Sequence, residues 1–68
     1  MKVAIFEFAN AAQEIVEDWT IYEREFYKWI GTDNPTQENL DSLADRYMRD
    51  FGNEKGYEYY RAYFEEVE

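Results

Sequence analysis

Val3-Ala4-Ile5-Phe6-Glu7-Phe8-Ala9 is the stretch on which the fold turns. Val3, Ile5, Phe6 and Phe8 have good strand propensity, and Asn10 behind them is a suitable N-cap for a helix starting there. In that reading residues 3–9 form a short strand. The same residues also open a longer pattern. Ile5, Phe8, Ala12, Ile15, Trp19, Tyr22, Phe26 and Trp29 are separated by alternating steps of three and four, the seam of a heptad helix. Ala9, Val16 and Ile30 widen the stripe, and no Gly or Pro interrupts it before Gly31, a natural helix stop. A helix over residues 4–30 would be ~40 Å long at 1.5 Å per residue. It is the favoured reading, because no convincing partner strand is visible and an isolated strand cannot satisfy its backbone.

Working outward, Gly31-Thr32-Asp33-Asn34-Pro35 reads as a loop. Asn34 is the expected N-cap of the next helix, with Pro35 in its first turn and Gln37 completing a capping box. Leu40, Leu43, Ala44, Tyr47, Met48 and Phe51 then share one helical face, and Gly52 supplies the stop. After Asn53 to Gly56, the residues Tyr57, Tyr60, Phe64 and Val67 repeat helical spacing. As a strand this stretch sorts its side chains poorly, so a third helix is expected. The predicted fold is all-α, a compact three-helix domain over residues 1–68 with one long amino-terminal helix. Residues 3–9 are a short strand in the alternative.

A chain of 68 residues makes one domain, which can bury only about 60% of its unfolded surface. It contains neither Cys nor His. Disulfides, ordinary zinc sites, Cys nucleophiles and Ser-His-Asp arrangements are therefore excluded. The loop Thr32 to Glu38 lacks the Asp-x-Asp-x-Asp-Gly framework of a calcium-binding helix–loop–helix. Three helices in 68 residues are expected to leave no room for a substrate cleft of roughly a few hundred Å³. Neither an enzyme nor a resident cofactor is expected.

Sixteen Asp and Glu against seven Lys and Arg give a net charge of -9. That balance argues against direct binding of nucleic acid or anionic membrane, whose affinity comes from cationic side chains. No apolar run approaches the ~18 residues that span a bilayer. An acid at Glu7 argues against a signal peptide, so a cytoplasmic location is expected. Aromatics at 21% argue against the disorder common in acidic chains.

Two rows of acids and one pair of tyrosines are the candidate partner-binding residues. Glu14, Glu17 and Asp18 form a row on the first expected helix, with no base four residues on. Glu38, Asp41 and Asp45 form a second, where only Asp45 has a well-placed local partner in Arg49. Tyr59 and Tyr63, four apart and off the main stripe, are expected to be exposed beside Glu, a composition suited to interfaces. Duplex DNA as long as such a domain carries about 16 negative charges, so the net of -9 reaches about half of that.

Glu14-Ile15-Val16-Glu17-Asp18-Trp19 and Tyr57-Glu58-Tyr59-Tyr60-Arg61-Ala62-Tyr63-Phe64-Glu65-Glu66 carry a resemblance. In size, charge and aromatic content the chain resembles the small acidic inhibitors of host defence encoded by phages and mobile elements, of the anti-CRISPR or anti-restriction DNA-mimic type. The likeness is compositional and covers the whole chain, and its seven basic residues depart from the most uniformly negative mimics. It implies an inhibitor that occupies the positively charged nucleic-acid site of a host complex in the host cytoplasm. An acidic adaptor or antitoxin-like protein, binding one basic partner without mimicry, is the alternative. A homodimer sharing the heptad seam is a third expectation.

Overall fold

The computed structural model describes residues 1–68 and shows an α+β fold. Strands β1 (Lys2–Ala9), β2 (Ile15–Tyr22) and β3 (Tyr59–Glu66) form one antiparallel sheet in the order β2-β1-β3. Between β2 and β3 the chain makes a 3₁₀ turn (Glu23–Glu25) and a short helix α1 (Phe26–Ile30). Helix α2 (Gln37–Tyr47) then continues through a π-helical turn (Met48–Gly52) into α3 (Asn53–Lys55).

This corrects the all-α expectation. Residues 2–9 are a strand, as the alternative had it, and the long amino-terminal helix does not exist. The missing partner strands are the two stretches assigned to helix. β2 pairs with β1 through Phe6↔Trp19 and Ala4↔Ile21. β3 pairs with it on the other side through Phe6↔Ala62 and Ala4↔Phe64, so the third helix is also replaced by strand.

Strand alternation explains the sorting that helical spacing concealed. On β1 the even positions Ala4, Phe6 and Phe8 are fully buried under the helices. Trp19 and Ile21 beside them on β2, and Tyr60, Ala62 and Phe64 on β3, pack on the same side. Phe26, Leu40 and Ala44 close this core from the helical layer. Ile5, Glu7, Asp18, Thr20, Tyr59, Arg61 and Tyr63 fall on the opposite face, away from the helical core and together with Val3, which is itself buried. Arg61 lies 4.5 Å from the Tyr63 ring centroid and 3.9 Å from Glu7 there.

The connections are fixed by local hydrogen bonds. Asn10 caps a hairpin turn, not a helix: its Oδ1 accepts from the amides of Ala12 and Glu14 at 3.0 and 3.1 Å. Gln13 donates to the Asn10 carbonyl at 2.9 Å and adopts φ 62°, the one left-handed position of the hairpin connection over residues 10–14. Gly31 ends a helix as expected, but one of five residues, with φ 93°. The cap of α2 is Thr36 and not Asn34. Thr36 Oγ1 accepts from the Asn39 amide at 3.2 Å, and Asn39 Oδ1 accepts from the Thr36 amide at 2.9 Å. Gly52 does not stop the second helix either; the stop is Gly56, at φ 77°.

Candidate partner-binding surfaces

β2 turns Glu17 toward the helical side, next to Phe8 of β1. An acid at the margin of an aromatic core must find donors or lose its charge. Glu17 finds four. Trp19 Nε1 donates to Oε2 at 2.7 Å, the Tyr47 hydroxyl donates to it at 2.9 Å, and the Lys55 ammonium approaches Oε1 at 3.2 Å. The Tyr57 hydroxyl also donates to Oε1. Lys55 in turn donates to the Tyr47 oxygen at 2.7 Å. Burial opposes ionisation of Glu17, but the bonds from Tyr57, Trp19, Tyr47 and Lys55 outweigh it and hold the carboxyl down at about 2. Bonds to Tyr47 and Glu17 push Lys55 above its ordinary value, and the bond to Glu17 raises Tyr57. Glu17 and Lys55 are therefore charged at neutral pH, and the Tyr57 hydroxyl keeps its proton. The cluster is a clamp joining β2, α2, α3 and the approach to β3.

An aromatic box surrounds the clamp. Trp19 meets Tyr47 edge-on at 4.6 Å between centroids, and Phe8 lies 5.0 Å from Trp19 and 4.9 Å from Tyr47. Beside this box a groove of about 580 Å³ opens between β2 and helices α1 and α2. Trp19, Ile21, Trp29, Leu43 and Tyr47 line it, with Glu25 on its rim. A shallower depression reached past Leu43 and Tyr47 continues it toward Phe51. Trp29 is 56% exposed, unusual for the largest apolar side chain of so small a domain.

The predicted site residues are dispersed. Glu14 is exposed in the hairpin loop, and Asp18 is exposed on the sheet face away from the helical core, opposite Glu7. Glu17 between them is committed to the clamp. Glu38, Asp41 and Asp45 lie together on α2 in the helical layer, where Asp41 and Asp45 neighbour Tyr60. Burial first, then those two carboxylates, raise the Tyr60 hydroxyl above its ordinary value. Tyr59 and Tyr63 share that sheet face with Asp18, with Tyr59 half exposed and Tyr63 partly covered. The structure therefore unites Asp18, Tyr59 and Tyr63 on one side and Glu38, Asp41 and Asp45 on the other.

Sequence reasoning missed the clamp partners Tyr47, Lys55 and Tyr57, and the groove around Trp29. The one available signal was Glu17 in alternation with Trp19 and Ile21, which on a strand places an acid among inward-facing residues. No cluster of acids is arranged to hold a metal ion, and no helix is long and apolar enough to cross a membrane. In comparisons with known proteins, no family model, curated protein or solved structure matches the chain.

Proposed function

We propose that the protein is a binding protein for a basic surface, acting as an inhibitor that occupies the nucleic-acid site of a host defence complex such as a CRISPR effector or a restriction enzyme. The observation that supports this reading is the poverty of internal charge pairing. Only Glu7, Glu17 and Glu66 lie within 4.0 Å of a cationic nitrogen, which leaves 13 of the 16 acids without one. Acids without local partners favour an external cationic one and steer its approach.

Glu14 and Asp18 serve at the sheet end of this surface, and Glu38, Asp41 and Asp45 serve on α2. Asp18 lies on the sheet face away from the helices and the other three on α2, so a partner groove must enclose the domain to meet both sets. Along the longest extent of 32 Å, duplex DNA carries about 19 charges, against a net of -9 here. Tyr59 and Tyr63 add desolvated contact, since exposed ion pairs alone contribute little. The exposed aromatics Trp29 and Tyr59 favour a second reading, an acidic adaptor held mainly by apolar contacts.

The test is binding to purified defence complexes, with their own DNA or guide RNA as competitor. Reversing Glu38, Asp41 and Asp45 to Lys should weaken binding more than a hundredfold and flatten its salt dependence. If nucleic acid leaves the complex intact, occupancy of its site is ruled out. Retained affinity in the reversed variant, with loss on truncating Tyr59 and Tyr63, would select the adaptor.

A further inference from the structure

The two edges of the sheet are not equivalent. Along β3, helix α2 lies close, and Gln37 Nε2 donates to the Ala62 carbonyl at 2.6 Å, so a strand backbone group is already engaged by the helix. Along β2, the eight residues Ile15–Tyr22 have only β1 as a strand neighbour. The apolar groove adjoins this free edge. Its wall includes Trp19, Thr20 and Ile21 in succession, and consecutive strand residues point to opposite faces. A surface touching all three lies against the margin of the strand.

We infer that the β2 edge is a strand-addition site for an extended, cationic segment of a partner protein, with apolar residues alternating with Lys or Arg. Backbone hydrogen bonds to β2 supply affinity and the alternation supplies specificity. Side chains of the added strand on the helical side enter the groove formed by Trp19, Ile21, Trp29 and Leu43. Those on the other side lie beside Asp18, Thr20 and Tyr22, where a Lys or Arg meets Asp18. Glu25 on the groove rim offers a second carboxylate. The volume of about 580 Å³ lies within the range of established ligand pockets.

Charge chooses between occupants. A second copy could pair its own β2 with this edge about a two-fold axis, but that brings Asp18 of both chains to one face and joins two molecules of net charge -9. The same acids that repel a second copy attract a basic strand, a common way of protecting an edge while leaving it open to one partner class. Lys28 sits over the Trp29 ring at 5.2 Å, and the indole is still more than half exposed. The inference rests on the groove and the edge, and holds or fails separately from the inhibitor reading.

A display library of random twelve-residue peptides, selected on the intact protein, tests it. The expected enrichment is an apolar–basic alternation of period two, with slowed amide exchange confined to β2 when a selected peptide binds. Trp29→Ala and Asp18→Lys should each weaken that peptide at least tenfold; both positions are exposed, and an unchanged melting temperature checks that the fold is kept. Failure to enrich peptides, a helical period in those enriched, or a footprint on the sheet face away from the helices would overturn the assignment. So would a dimer in sedimentation whose β2 amides are already protected without peptide.

Discussion

At the scale of single residues, Glu17 is the side chain on which most depends. Its carboxyl falls from an ordinary value of 4.5 to about 2 in the fold, so ionisation favours folding. The stabilisation is complete above the unfolded value and is lost as pH falls from about 4.5 to about 2. With the side chain about a quarter exposed, it amounts to about 2 kcal/mol after allowance for solvent screening. Glu17→Gln should therefore lower the stability measured by urea unfolding at pH 7 by about 2 kcal/mol. The gap from the parent should close as pH approaches 2, which separates Glu17 from the 15 other acids common to both proteins. Gln13 is a smaller case with the opposite sign. It holds φ 62° in the hairpin loop, where glycine has no side-chain penalty. Gln13→Gly should stabilise by up to about 1 kcal/mol, visible as a higher melting temperature.

At the scale of elements, the helix start tests the correction to the sequence reading. The sequence reading places the cap at Asn34, but it is Thr36 that receives a helix amide. Thr36→Ala should cost about 1 kcal/mol and Thr36→Ser should recover most of it, while Asn34→Ala should stay within about 0.5 kcal/mol. Equal losses at the two positions in thermal unfolding would return the cap to Asn34. The helix from Gln37 to Tyr47 was legible because its apolar residues recur among polar ones. The strands were not. With 46% apolar residues, an alternating strand also supplies matches at three and four residues, so Ile5, Phe8, Trp19 and Tyr22 imitated one seam. In the sheet Ile5 and Tyr22 face away from the helices while Phe8 and Trp19 face them. β-propensity points correctly to a strand at residues 3–9, but the residues next to it in sequence reveal no partner. That partner includes β3, whose register Lys2↔Glu66 joins the two ends of the chain and leaves no local trace.

At the scale of the whole molecule, the acids were legible as a number and not as a surface. The sequence located Glu14, Glu17 and Asp18 as neighbours, but the strand sends Glu17 inward and Asp18 outward. What survives is the field of the molecule, a net charge of -9 with three ion pairs within 4.0 Å on a domain of 32 × 23 × 16 Å. Most charges on so small a body lie within about one Debye length of one another at low salt, and acids outnumber bases. Folding gathers them and so works against that repulsion. Screening should then stabilise the fold. Raising sodium chloride from about 10 to 150 mM, where the Debye length falls from about 30 to 8 Å, should raise the melting temperature by a few degrees. The Glu17–Lys55 pair, partly buried inside the clamp, is less affected by the same salt. A melting temperature that fell with salt would mean that attractive pairs dominate the surface. It would also mean that the acids are satisfied within the fold, against the unpaired charge on which binding to a basic partner depends.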